Sequence, residues 1–309
     1  MTTDSTPLGL GLEFDRIRAI ASALGSSAAD LGDDCAFLPG GWCVSLDVST
    51  EGIHFRRDWL DPAEIGWRAA MAALSDLAAV GADAEALLVG LSAPGDEPVD
   101  VIAAIMRGVG AAAREVGATV VGGDLTRARD LSLAVTVMGR ADRPVRRRGA
   151  VPGDGIWLTG SLGGSRAAWS AWTAGRHPEP EPRRRFARPL ARIAEGRRLA
   201  VLGATAMLDL SDGLAGDLGH LAAASGVGLV VELEGLPLSE GVAAEAVFAG
   251  QPPEVFAAMG GEDFELVATL PPGVDGAPLI RIGSVVAGSG VRTTLAGVEW
   301  ALTSYDHFR

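Results

Sequence analysis

The sequence predicts a protein of two mixed helix-and-strand domains, the first of them an α+β unit. Three observations predict it. At 309 residues the chain has material for about two domains of ordinary size, each with its own core. The hydrophobic periodicity of the first half gives the order β, α, β, α, β, β, which packs helices on one face of a sheet. A plausible hinge at Asp142-Arg143-Pro144 is followed by a second set of helices and strands, so the expected domains are residues 1–143 and 144–309. No short internal repeat is visible.

In chain order, Glu13 to Leu24 reads as an amphipathic helix, with Phe14, Ile17, Ile20 and Ala21 on one side. Trp42 to Leu46 is a strand ending at Asp47, and Val48 to Phe55 reads as an irregular loop. Asp61-Pro62 opens a helix, since proline suits its first turn, and that helix runs to about Gly81. Glu85 to Leu91 is a strand, and Val99 to Val116 a helix capped by Gly117. Thr119 to Val121 is a short strand delivering Gly122-Gly123-Asp124, and Leu131 to Gly139 alternates as a half-buried strand does.

In the second half, Ile156 to Gly160 is a strand and Ser165 to Ala174 a helix, followed by a Pro-rich charged loop over 175–185. Helices are expected over Leu190–Leu202 and Leu214–Ala224. Strands are expected over Ala206–Leu210, Gly228–Glu232, Phe264–Leu270 and Leu279–Val286.

Composition narrows the function. The chain is 48% hydrophobic and 21% charged, which is globular. Its net charge of -13 repels nucleic acid and anionic membrane, so a phosphorylated ligand has to be held locally by metal ions or arginine. The two cysteines, Cys35 and Cys43, lack CxxC spacing and read as buried small apolar residues rather than a disulfide or a zinc site. Met1 to Ser5 lacks the basic and apolar run of a secretory signal, and Asp76, Asp83 and Glu85 interrupt the longest Ala/Leu-rich region. A cytoplasmic protein without membrane contact is expected. There is no lysine at all, which excludes a P-loop, a protein-kinase site and pyridoxal phosphate chemistry.

The candidate site rests on carboxylates. Asp76 is a bare acid in the apolar helix segment Leu74-Ser75-Asp76-Leu77-Ala78-Ala79, which is costly unless a cation or several donors meet it. Gly32-Asp33-Asp34, Leu46-Asp47, Gly122-Gly123-Asp124, Asp209-Leu210-Ser211-Asp212-Gly213 and Gly261-Glu262-Asp263 place further acids beside glycine or at the ends of apolar runs. Singly, each is turn or capping chemistry. Together, Asp34, Asp47, Asp76, Asp124, Asp209 and Asp212 offer the oxygen ligands that hard divalent cations prefer.

Gly122-Gly123 and Asp212-Gly213 leave backbone N–H groups open to a phosphate, and Arg147 and Arg148 could clamp one, with Arg148 read as a solvated turn residue. His54 is open between a ligand-facing role and a structural hydrogen bond. His177 reads as surface and His220 as structural, while Tyr305 is a candidate to stack on a flat ligand.

These residues carry a resemblance. Gly32-Asp33-Asp34-Cys35-Ala36, Asp47 with Glu51-Gly52-Ile53-His54-Phe55, Leu74 to Ala79 and Gly122-Gly123-Asp124-Leu125-Thr126-Arg127 stand in the first half. Arg147-Arg148-Gly149-Ala150 with Pro152-Gly153-Asp154, Asp209 to Leu214, Gly260 to Leu266 and the closing Tyr305-Asp306-His307-Phe308 complete the series. In the same order along nearly the whole chain, it closely resembles the thiamine-monophosphate kinases.

The resemblance implies a two-domain fold like aminoimidazole ribonucleotide synthetase: an N-terminal α+β domain that dimerises through its sheet, and a C-terminal α/β domain closing over ATP. It implies transfer from ATP to thiamine phosphate, giving thiamine diphosphate, by direct in-line attack. It further implies that Asp34, Ser45, Leu46, Asp47, Asp76, Asp124, Asp209 and Asp212 hold several magnesium ions, with Asp47, Asp76 and Asp212 at the chemistry. Gly123, Asp124, Arg147 and Ser211 would contact ATP, and His54, Glu262 and Tyr305 the thiamine phosphate. Leu46 departs from the family, which usually has threonine there; the hydroxyl is lost and the backbone carbonyl is left.

Related activities fit less well. Selenide dikinase and the purine-pathway synthetase would bring lysine-containing loops, and the hydrogenase-maturation dehydratase a C-terminal thiol, where this chain ends His307-Phe308-Arg309. A non-catalytic nucleotide- and metal-binding regulator on the same scaffold is the reading from another class; an idle site has no need to bury so many acids.

Overall fold

The computed structural model describes residues 11–27, 31–276 and 278–305. Met1 to Ser5 and the closing Asp306-His307-Phe308 lie outside the described residues. The chain begins with α1 (Leu12–Leu24), followed by β1 (Ala36–Leu38), β2 (Trp42–Thr50), α2 (Pro62–Ala79), β3 (Asp83–Ala93), α3 (Val99–Glu115), β4 (Thr119–Arg127) and β5 (Ser132–Arg140). The strands form one five-stranded sheet in the order β1-β2-β5-β3-β4, with β3 and β4 parallel and the other pairs antiparallel.

Helices α2 and α3 cover one face, over Leu87, Val89, Leu133, Val135 and Val137. The other face leaves Leu46, Val48 and Leu88 exposed, as alternation along a half-covered strand requires.

The start of α2 is written in its sequence. Asp61 accepts a 2.8 Å hydrogen bond from the Glu64 amide, Glu64 accepts one from the Asp61 amide, and Pro62 occupies the first turn. Two glycines set how α2 meets α3. A Cβ at Gly66 would fall 1.9 Å from the Ile105 carbonyl oxygen, and one at Gly108 1.9 Å from that of Ala63. The helices therefore touch backbone to backbone.

The second half contains β6 (Gly155–Leu158), α4 (Gly164–Thr173), α5 (Pro180–Ala187), α6 (Ile193–Leu202), β7 (Ala206–Asp209), α7 (Leu214–Ser225) and β8 (Gly228–Glu232). It ends with α8 (Val242–Ala249), α9 (Pro253–Ala258), β9 (Leu266–Leu270), β10 (Ile280–Val286), β11 (Gly290–Leu295) and β12 (Val298–Trp300). Its seven-stranded sheet has the order β12-β11-β8-β10-β6-β9-β7, antiparallel except for β8 with β11. Helix α7 packs Leu214, Leu218 and Leu221 into the core of this half. A third apolar cluster, with Ala78 and Ala79 of α2 against Leu199, Met207, Leu266 and Ala268, joins the two halves.

Three segments differ from expectation. Strand β2 runs on to Thr50, because Val48 to Thr50 continue the ladder against Ala134 to Ser132, so the loop begins only at Glu51. Strand β4 runs to Arg127, which places Gly122 to Asp124 within a strand rather than after one. The Pro-rich stretch 175–185 contains the start of α5: Pro180 sits in the first turn, Glu181 pairs with Arg184 and Arg185, and Pro182 and Phe186 are buried. Helix α6 accordingly begins at Ile193 rather than Leu190, and α8, α9, β1, β11 and β12 are elements the sequence does not announce. Among the described residues, no helix is long and apolar enough to cross a membrane.

Candidate active site

Three acids from distant parts of the chain converge. Asp34 precedes β1, Asp76 lies near the end of α2, and Asp209 closes β7; each offers a carboxylate oxygen within 4.8 Å of the others. Asp34 and Asp209 are buried and Asp76 is half-buried. Burial and then the neighbouring Asp209 and Asp34 push the Asp76 carboxyl well above the usual range, while the Ser45 hydroxyl, donating at 2.6 Å to Asp76 Oδ2, opposes the rise. Asp209 is pushed up to about 7, chiefly by burial and by Asp34.

Arg147 answers this charge, donating at 2.7 Å to Asp34 Oδ1. Burial works against its own charge, but Asp34, Asp209 and Asp76 outweigh that and hold the guanidinium protonated. Asp33 fixes the same segment, accepting from the Arg147 amide at 3.0 Å.

The donor set fits a hard cation. Asp34 Oδ2 is buried without a hydrogen-bond partner, which is costly for a carboxylate unless an ion takes it up. Arg147 Nε is likewise buried and unpartnered, a donor available to an anion. Asp47 is close enough to Asp76 to raise its pKa further, and Asp212 acts on Asp209 in the same way. Ser45 and Asp47 therefore share the α2 face of β2, and Leu46 points its side chain to the opposite, exposed face, leaving only its backbone carbonyl as a ligand atom.

A cavity of about 640 Å³ opens beside these acids and brings together Asp47, His54, Ser211, Asp212, Glu262 and Tyr305. His54 Nδ1 accepts from the Thr50 amide at 3.1 Å, so in the neutral ring the proton sits on Nε2; the histidine makes a structural hydrogen bond and also lines the cavity. Glu262 is held by a strap. Its amide donates to the Ser211 carbonyl at 2.8 Å, and the Phe264 amide to that of Leu210 at 3.0 Å. Glu262 and Phe264 both take left-handed φ values, 62° and 51°, without being glycine. Asp263 anchors the strap, accepting from the Gly163 amide at 2.7 Å at the start of α4, and burial pushes its carboxyl up to about 7.

A second cavity, of about 560 Å³, shares Glu13, Asp212, Ser304 and Tyr305 with the first. Phe14 of α1 packs on His220 at 4.2 Å between ring centroids, and Gly216 and Gly219 of α7 leave the wall without side chains. His220 is lowered to about 4 by burial, so it presents a neutral ring.

The remaining candidates are not gathered. Gly123 and Asp124 pair with Val89 and Gly90, on the edge strand three interstrand spacings, or about 14 Å, from β2. Asp124 stands on the face of Leu88 and Val48, opposite to Asp47. Gly123 has a steric reason to be glycine: a Cβ would lie 2.0 Å from the Val89 carbonyl oxygen. Cys35 and Cys43 are buried free thiols, and Cys35 Sγ donates to the Asp76 carbonyl at 3.3 Å.

Sequence reading missed Arg68. This buried arginine of α2 lies 2.6 Å from Glu262 Oε2, donates to the His54 and Phe186 carbonyls, and stacks over the Phe186 ring at 3.8 Å. Its signal was available: positions 68, 72 and 76 fall on one helix face, so the arginine and Asp76 look the same way.

Known proteins share this arrangement of chain. Residues 32–141 match the model of the AIR synthase related protein N-terminal domain, and residues 151–295 that of its C-terminal domain. A thiamine-monophosphate kinase of Mycobacterium tuberculosis is 37% identical over 275 residues, covering 87% of this chain and 82% of that protein. One from Halobacterium salinarum is 39% identical over 257 residues, covering 82% and 85%. A solved structure described as AaThiL complexed with AMPPCP and TMP superposes with a TM-score of 0.86 at 32% identity, covering 96% of this chain and 97% of that one. With two AIR synthase related domains and relatives of this closeness over most of its length, the chain belongs to the thiamine-monophosphate kinase family of enzymes.

Proposed function

We propose that the protein transfers the terminal phosphate of ATP to thiamine monophosphate, in line and without a phosphoenzyme, giving thiamine diphosphate and ADP. The observation that carries this reading is the meeting of two cavities at Asp212, beside the Asp34–Asp76–Asp209 cluster. A donor in one and an acceptor in the other would face each other across the acids. The similar solved structure is a complex with AMPPCP and TMP, which fits two neighbouring pockets.

We assign the nucleoside to the cavity of Phe14 and His220, whose paired rings, tilted 35° to each other, and glycine-lined α7 wall suit a flat base. Arg147 and Ser211 lie toward the phosphates. Asp34, Asp76 and Asp209, with Ser45, Leu46, Asp47 and Asp212 around them, would hold magnesium. Bound there, magnesium would neutralise phosphate charge and lower the repulsion between two anions.

The chain's own residues supply the rest. Arg147 offers its Nε and a charge kept by the surrounding acids. His54 presents Nε2–H, and Glu262, Arg68 and Tyr305 bound the acceptor pocket. No general base is required, because the attacking phosphate oxygen is already ionised.

We further propose a homodimer formed on the open face and edge of the N-terminal sheet. Leu46, Val48 and Leu88 are exposed on that face and Val121 and Leu125 on the edge strand, apolar side chains that a second copy would cover. In that arrangement Gly123 and Asp124 serve a site completed by the second copy.

ADP release measured with ATP, magnesium and thiamine monophosphate tests the reaction. Binding of both ligands without turnover would instead leave the regulator reading standing.

A further inference from the structure

The acceptor cavity contains an aromatic side chain on which no ring or guanidinium of the described residues is stacked. Trp59, Phe186 and Trp169 all line it. Trp59 lies flat on Trp172, with centroids 4.9 Å apart and planes 6° apart, and Arg56 sits over its ring at 5.0 Å. Phe186 meets both tryptophans edge-on and carries Arg68 on its face. Among the described residues, Trp169 has no ring or guanidinium packed against it, and it is 52% exposed. Ile53, 60% exposed on the loop after β2, lines the same cavity.

The position of Trp169 is fixed through Glu262. The Ser165 hydroxyl donates to the Glu262 carbonyl at 2.7 Å, and the Ser165 amide donates to Asp263 Oδ1 at 3.3 Å. Trp169 follows Ser165 by four residues, so both lie on one face of α4, about 6 Å apart along its axis. Trp169 and Glu262 thereby stand on the same wall of the cavity, the Glu262 carboxylate having one oxygen committed to Arg68.

That pairing suits a flat cation. Thiamine monophosphate carries its positive charge in an aromatic thiazolium ring, joined by a two-carbon arm to the phosphate that must face the acids, with the neutral aminopyrimidine at the far end. We propose that Trp169 is the specificity-determining residue for this acceptor, its indole face taking the thiazolium by cation–π stacking beside Glu262, with Ile53 closing the other side. The proposal rests on the kinase reading above and adds to it a side chain that reads the charge and flatness of the acceptor rather than its phosphate.

The test is steady-state kinetics of Trp169→Ala and Trp169→Phe, with direct binding of thiamine monophosphate in the presence of magnesium. Trp169→Ala should raise KM and the dissociation constant for thiamine monophosphate roughly tenfold, with kcat and the KM for ATP within about twofold of wild type. Trp169→Phe should recover most of the affinity, because a benzene face still attracts a cation. Hydroxyethylthiazole phosphate, whose ring is uncharged, should bind wild type and Trp169→Ala alike. An unchanged acceptor KM in Trp169→Ala, or an equal rise for ATP, overturns the assignment while wild-type turnover leaves the kinase reading in place. If wild type neither binds nor phosphorylates thiamine monophosphate, the kinase reading falls and this assignment falls with it.

Discussion

Arg68 and Glu262 meet at 2.6 Å and tie the long helix of the first half to the strap that precedes β9 in the second. The arginine is buried and Glu262 is one-third exposed, so one charge depends on the other for its solvation. Arg68→Ala should lower stability by about 3 kcal/mol, since the His54 and Phe186 carbonyls lose their donor as well. Glu262→Gln keeps the hydrogen bond and should leave Tm within a few degrees of wild type while raising the KM for thiamine monophosphate. Thermal melts alongside kinetics check both; equal losses of Tm in the two variants would contradict the asymmetry.

Asp76→Asn removes one charge from the acidic cluster and keeps its shape. We expect kcat to fall on the order of 100-fold or more, with a higher magnesium requirement. The metal-free variant should melt no lower than metal-free wild type, because Asp76 is an acid whose ionisation the fold resists. Wild-type kcat in purified Asp76→Asn would disprove the metal assignment.

The cluster also sets a pH dependence. Asp209 is pushed up to about 7 and Asp76 is raised as well, so between about pH 4 and pH 7 the metal-free folded protein binds protons that the unfolded chain has released. Stability from these groups is therefore present at low pH and lost as pH rises toward 7. Magnesium competes with those protons, so its stabilising thermal shift should be small at pH 5 and large at pH 8. Equal shifts at the two pH values would count against a cation at these acids.

The placement of Asp124 on the far face of the sheet predicts complementation between subunits. Asp76→Asn and Asp124→Asn homodimers should each be nearly inactive. A random mixture of the two after co-refolding should recover about a quarter of wild-type activity, because each heterodimer rebuilds one intact site. A mixture as inactive as its components would place both residues in the same subunit's site.

Much of the cluster could be read from sequence because Asp76 and Asp209 interrupt runs that are otherwise apolar. The strand ends and helix that carry them followed from periodicity alone. Asp124 could not be placed in the same way. Its face depends on a register shift between Leu87 and Leu88 where β3 pairs with β4, and nothing in Gly122-Gly123-Asp124 encodes that shift. Arg68 was overlooked because a lone arginine in an alanine-rich helix reads as surface, whereas its partners come from residues 54, 186 and 262. Helix α5 was hidden by prolines that read as breakers but serve as a start.

The close approach of α2 and α3 at Gly66 and Gly108 bears on how this molecule can move. With backbones this close at the crossing, α2 and α3 pack as one slab, and Ser75 and Asp76 lie in its last turns. A rearrangement that grips the ligands has its freedom in the other wall, where the strap and α4 stand. One added methyl group at either glycine would wedge the slab apart and shift Asp76, ten residues along α2 from Gly66.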